Sequence, residues 1–234
     1  MFCEKDPQKH LCILRISRYC IALRTTVPEL LLRTRSLILT QLNIFKHYGN
    51  QELDGWCYRS GTNCRFLCLP GTLIAKADAL GLGREELVKG MLAAGLIGVF
   101  IAQSSTFAAE VAGCQAECGS GSGMAAAGLV QMMHGTVQQV LDAASMALQN
   151  ISGLVCDPVA NRVEVPCLGK NIMCGSNAIS SANMILAGYD KVIPLDETIA
   201  AIYDIGLKLP LELRCTYGGL GKTPISNQIR SRLS

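Results

Sequence analysis

The chain has 234 residues, half of them apolar and only 5% aromatic, with 21 Lys/Arg against 18 Asp/Glu and a formal net charge of +3. That length suffices for one substantial domain or two small ones. Twelve cysteines, about 5 per cent of the chain, lie below the density of short disulfide scaffolds. Arg15, Arg18 and Arg24 interrupt the only stretch resembling a secretory leader, and the longest apolar run, Met91 to Ala102, is 12 residues, short for a bilayer span. A thiol-rich chain without such segments belongs in the reducing cytoplasm, with no membrane partner.

The first third differs from the rest. Residues 1–69 carry ten Lys/Arg and five Asp/Glu, hence +5, whereas residues 70–234 carry eleven and thirteen, hence −2. Half the cysteines, Cys3, Cys12, Cys20, Cys57, Cys64 and Cys68, fall in this part beside the sole tryptophan, Trp56. Its apolar pattern is irregular apart from a predicted helix around Pro28 to Phe45. The basic residues are dispersed among leucines without a folded recognition motif, which argues against nucleic acid as a partner. Cys64, Cys68 and His47 lack the paired knuckles of a zinc site.

From Gly83 onward helical signals recur. Glu85 and Glu86 suit a first helical turn, and Met91–Ala102 then reads as a buried core helix under the cysteine site, with Gly90, Gly95 and Gly98 permitting close approach. A helix over Ser122 to His134 ends at Gly135, and Thr136 caps the next, Val137 to Gln149. Val159 to Val165 alternates like a hairpin or extended loop. Asn171 to Leu186 forms a further helix stopping near Gly188, and Asp196 caps Glu197 to Leu209, which ends at Pro210. The predicted fold is all-α, a compact bundle of Ala/Gly-rich helices. Neither Gly81-x-Gly83 nor the run Gly119 to Gly123 has the lysine or strand context of a phosphate cradle.

Three cysteines stand in distinctive surroundings: Cys114 in Gly113-Cys114-Gln115-Ala116-Glu117, Cys156 in Gly153-Leu154-Val155-Cys156-Asp157-Pro158, and Cys167 after Val163-Glu164-Val165-Pro166. They are 42 and 11 positions apart, so only the fold could gather them. Thiolates are soft donors that select zinc, copper(I) or iron-sulfur clusters over magnesium or calcium. Against that stands the ordinary fate of cysteine as a small buried residue. Cys118, one helical turn after Cys114, and Cys174 read as packing residues, and Cys215, beside a glycine turn, as a lesser candidate for the site.

The blocks STFAAEVAGCQAECGSGSGMAAA (105–127), ALQNISGLVCDPVANRVEVPC (147–167) and Leu213-Arg214-Cys215-Thr216-Tyr217-Gly218-Gly219-Leu220 resemble, in order and spacing, the alpha chain of the bacterial iron-sulfur L-serine dehydratases. The resemblance runs from about Leu69 to Thr223. It implies that Cys114, Cys156 and Cys167 hold a [4Fe-4S] cluster with one iron free of protein thiolate. That iron would act as a Lewis acid on the hydroxyl of L-serine, giving pyruvate and ammonia without pyridoxal phosphate. It also implies a beta chain partner in a hetero-oligomer, with the catalytic base supplied by that partner. Asn171 falls where the family often carries an asparagine, and Lys170 and Asn171 are candidate contacts for the substrate carboxylate. Glu117 reads equally as a residue tuning the cluster or as a helix-start carboxylate, and His134 as an ordinary helix-end residue.

The family's Ala-Pro-Thr-x-Gly block is not recognisable in Arg59-Ser60-Gly61-Thr62-Asn63-Cys64. One reading takes residues 1–68 as an atypical segment from a shifted frame or mispredicted start, poorly ordered, ahead of a helical dehydratase domain over residues 69–234. The alternative to an enzyme is an inactive remnant or a structural metal-binding helical module.

Overall fold

The computed structural model describes residues 62–160, 162, 165–216 and 218–233. Residues 1–61 lie outside the described residues, and with them the helix predicted around Pro28 to Phe45 and the His47 of the zinc reading. The boundary placed between residues 68 and 69 falls inside the first described helix, α1 (Thr62–Leu80). Then follow α2 (Arg84–Ser104), α3 (Ala109–Ala112), a π-helical turn (Gln115–Gly119), α4 (Ser120–Met132), α5 (Val137–Gln149), α6 (Cys167–Leu186), α7 (Leu195–Lys208) and α8 (Pro224–Leu233). Two 3₁₀ turns, Leu211–Leu213 and Gly219–Lys222, lie between the last two helices. The described residues form an all-α bundle with no strand, only isolated bridges.

The bundle is built around α4, whose sequence SGSGMAAAGLVQM is apolar or small on every side and accordingly buried on every side. Helices α1, α2, α5 and α6 all pack on it. Small residues let them come close. A Cβ at Gly128 would lie 2.8 Å from the carbonyl oxygen of Gly90 on α2 and 2.9 Å from Leu73 Cδ1 on α1. Leu73, Ile97 and Leu129 are fully buried at these contacts, each contributing about 1.5–3 kcal/mol relative to an exposed side chain.

Helix α2 starts where the acidic pair predicts, with Glu85 and Glu86 in its first turn. At 21 residues it is longer than the 12-residue apolar run and is the one described helix long and apolar enough to cross a membrane by length and composition. It is not buried all round. Ala94, Ile97, Gly98 and Ile101 face α4, while Val88, Leu92, Leu96 and Val99 are exposed. Its buried residues belong to the main core, and the cysteines form a separate buried group, so α2 flanks α4 instead of lying under the cysteine site.

The predicted cap of α5 is present as a full capping box. Thr136 Oγ1 accepts from Gln139 N at 3.2 Å, and Gln139 Oε1 accepts from Thr136 N at 2.9 Å. Thr136→Ala is expected to lower stability by about 1 kcal/mol in urea unfolding, and an unchanged midpoint would mean the box is idle. Just before it, α4 ends at Met132, two residues short of the predicted His134, which instead takes the left-handed conformation (φ 57°) in the turn that follows. Gly135 is needed for a different reason, since its Cβ would lie 2.4 Å from Val130 Cγ1.

Three further boundaries shift. Helix α4 begins at Ser120 after the π-helical turn, and α6 begins at Cys167, four residues before Asn171. On α7 the N-cap is Pro194, so Asp196 sits in the first turn, where it favours the helix dipole. The stretch predicted as a hairpin or extended loop has one antiparallel bridge, Val159 with Arg162, and Val159 N donates to Val165 O at 2.8 Å.

Candidate metal centre

Cys114 enters the site on a tight turn. Gly113 precedes it with φ 74°, and a Cβ there would lie 2.9 Å from the carbonyl oxygen of Leu154, so only glycine lets the two segments meet. Gln115, buried next to the cysteine, then ties three elements together. Its backbone N–H donates to Leu154 O at 3.0 Å, its Oε1 accepts from Gly153 N at 2.8 Å, and its Nε2 donates to Ile202 O on α7 at 2.7 Å. No motif marks Gln115 in the sequence. A long amide amid small residues in a buried block was the available signal.

Cys156 arrives on an extended segment. Its N–H donates to Leu213 O and its carbonyl accepts from Cys215 N, each at 2.8 Å, forming a parallel bridge opposite Arg214. The Arg214 guanidinium is spread over the carbonyls of Val111, Leu207 and Leu209, which fixes the closing loop against α3 and the end of α7. Cys167 is the first residue of α6. The three segments bring the Sγ atoms of Cys114, Cys156 and Cys167 within 4.8 Å of one another, at 0%, 2% and 3% exposure.

Other thiols surround the trio without joining it. Cys68, Cys118 and Cys174 are buried in the same cluster, and Cys215 packs against it, partly exposed and with φ 61°. The Cys156 thiol is pushed far above the ordinary range by its hydrogen bond with Cys114, then by those with Cys167 and Cys215, and by burial. Cys215 moves the other way, chiefly through its hydrogen bond with Cys156, against the effects of burial, Glu110 and Cys167. Cys114, Cys156, Cys167 and Cys215 thus form one interacting set with Cys156 at its centre.

Lys170 and Asn171 lie in the first turn and a half of α6, beside Cys167. Lys170 Nζ donates to Val155 O at 2.7 Å and to Asp157 Oδ1 at 2.6 Å, an ion pair with side chains only 14% and 7% exposed. Burial opposes the lysine's charge. The Asp157 hydrogen bond and the negative charges of Cys114, Asp157 and Cys167 outweigh it, so its pKa rises above the ordinary value of 10.5. Asn171 Nδ2 donates to Cys167 O at 2.8 Å, while its buried Oδ1 has no hydrogen-bond partner. Glu117 is buried within the π-helical turn and not a solvated helix-start carboxylate; His134 is exposed in the turn after α4.

Three soft donors drawn from separate segments into a buried pocket define a helical domain able to hold a thiophilic metal centre. Residues 60–220 match the serine dehydratase alpha chain family, and the chain belongs to that family. It is 45% identical over 166 residues to a probable L-serine dehydratase alpha chain of Bacillus subtilis (strain 168), covering 70% of this chain and 55% of that protein. Against a probable L-serine dehydratase alpha chain of Latilactobacillus sakei it is 43% identical, covering 70% of this chain and 79% of that one. An L-serine dehydratase alpha chain of Peptoniphilus asaccharolyticus is 42% identical over 163 residues, covering 69% and 56%. The chain thus spans little more than half the length of two of these three relatives.

Proposed function

We propose that this chain is the alpha part of an iron-sulfur L-serine dehydratase, converting L-serine to pyruvate and ammonia in a hetero-oligomer with a beta chain. The observation that carries this reading is the convergence of the Cys114, Cys156 and Cys167 sulfurs within 4.8 Å. Their number and softness fit a [4Fe-4S] cluster with three protein thiolates. Bound there, the cluster supplies an iron free of protein thiolate that serves as Lewis acid toward the serine hydroxyl.

The chain's own residues bind and orient the amino acid. Asn171, like Lys170 a candidate contact for the substrate carboxylate, has its Nδ2 on Cys167 O, and its free buried Oδ1, an acceptor, suits the substrate ammonium instead. Lys170 has three N–H donors, and Val155 and Asp157 occupy two. The third is assigned to the substrate carboxylate. The proton acceptor is assigned to the beta chain, residues 69–234 to the dehydratase domain, and the reducing cytoplasm to its setting, where free thiols persist.

Anaerobic purification tests the proposal. A brown protein with about four irons per chain, making pyruvate from L-serine once mixed with a beta chain, is the expected result. Iron without turnover would favour the inactive remnant, and zinc alone a structural metal module.

A further inference from the structure

Asp157 follows a trio cysteine, is only 5% exposed, and uses both carboxylate oxygens on different parts of the chain. Oδ1 takes the ammonium of Lys170 at 2.6 Å, one turn into the helix that Cys167 begins. Oδ2 accepts the backbone N–H of Leu220 at 3.0 Å, in the closing loop that runs on from Cys215. Gly219 makes that approach feasible. It has φ 50°, and a Cβ there would lie 2.6 Å from Asp157 Oδ2 and 2.8 Å from its Cβ. Lys170 closes the circuit by donating to Val155 O, just before Cys156.

We infer that Asp157 is a positioning residue of the metal centre, one carboxylate clamping the Cys156 segment, the Cys167 helix and the closing loop in register. It also holds the Lys170 ammonium between the first turn of the helix that Cys167 begins and the Val155 carbonyl just before Cys156. This rests on the reading that the trio binds an iron-sulfur cluster. Two consequences follow from the chemistry. Cluster retention depends on the clamp, because ligand segments that are not fixed relative to one another release metal faster, as groups supporting metal ligands generally govern affinity. The reduction potential depends on the ammonium, because a nearby cation stabilises the added electron of the reduced cluster.

A carboxylate can accept from both partners at once. An asparagine cannot, since its NH₂ would meet either the Lys170 ammonium or the Leu220 N–H, both donors. Asp157→Asn therefore breaks one arm in either amide orientation while keeping the volume. Pairing it with Lys170→Met removes both charges together, so no uncompensated charge is left buried.

The test uses the full chain reconstituted anaerobically with ferrous iron and sulfide, reading iron release to a chelator, the midpoint potential and thermal unfolding. Asp157→Asn is expected to release iron at least about tenfold faster. The double variant is expected to remain fast and to show a lower potential than the unsubstituted chain, with an unfolding midpoint close to it. Release from Asp157→Asn at the unsubstituted rate would overturn the clamp, as would a double variant that recovers both rate and potential, since that result marks an ordinary ion pair. If Asp157→Asn fails to fold, Gly219→Ala decides by disturbing the same carboxylate from the loop side with all charges kept. Faster release supports the clamp and unchanged release overturns it. An unsubstituted chain that takes up no iron overturns the cluster reading itself, whereas normal uptake with unaltered variants overturns only the role of Asp157.

Discussion

Cys156→Ser is expected to abolish retention of a reconstituted iron-sulfur centre, by at least about 100-fold in affinity, and dehydratase activity with it. Cys156 is the hub of the sulfur set, its thiol hydrogen-bonded to Cys114, Cys167 and Cys215, and it is 2% exposed, so its loss removes the central donor of the trio. A serine hydroxyl is harder and remains protonated at neutral pH, so it is a poor substitute for soft iron. Cys114→Ser and Cys167→Ser should behave alike. Cys118→Ala and Cys174→Ala are the controls, because both sulfurs lie in the cluster of packed side chains outside the converging trio. Alanine is chosen there to avoid placing a hydroxyl in an apolar pocket. Iron content by colorimetry reads the outcome, and equal loss in all five variants would defeat the assignment of ligands.

Lys170→Met is expected to destabilise the folded chain by about 3–5 kcal/mol, a large part of the stability of a domain this size. The substitution leaves Asp157, 5% exposed, with a negative charge and only the Leu220 N–H to meet it. Adding Asp157→Asn to Lys170→Met removes that charge and should recover most of the loss. Urea unfolding measures both, and a single variant within about 1 kcal/mol of the unsubstituted chain would show that water reaches the pair. The pH dependence has a definite sign. Lys170's pKa is raised on folding, so its contribution is complete below the ordinary lysine value of 10.5 and is lost only as pH climbs through the higher folded value. Stability near neutral pH is therefore insensitive to this group.

How far the chain could be read in advance follows from which interactions are local. Thr136 with Gln139 three residues later is a self-contained cap, and the structure has it as a closed box. Glu85 and Glu86 mark the start of α2 for the same reason. Helix α1 is hidden in the sequence because Pro70 stands inside it and its start lies in an irregular stretch, and α8 because it is only ten residues long with three apolar side chains, Ile225, Ile229 and Leu233, among polar and charged ones. The buried face of α2 was misjudged. Composition reports that Met91–Ala102 is apolar, but only the neighbouring α4 decides that Ile97 is covered while Leu96 is exposed.

The site divides along the same line. By itself the sequence determined the helical class and, through three local contexts, singled out Cys114, Cys156 and Cys167, because turn glycines, caps and ligand-like flanks act over a few residues. Only the tertiary structure decided that these sulfurs share one buried pocket, that Gln115 stitches their segments, and that Asp157 spends its two oxygens on Lys170 and Leu220. Those are contacts between segments 11 to 63 positions apart. No local preference encodes such pairings; they appear only once close packing of small residues around α4 has brought the segments together.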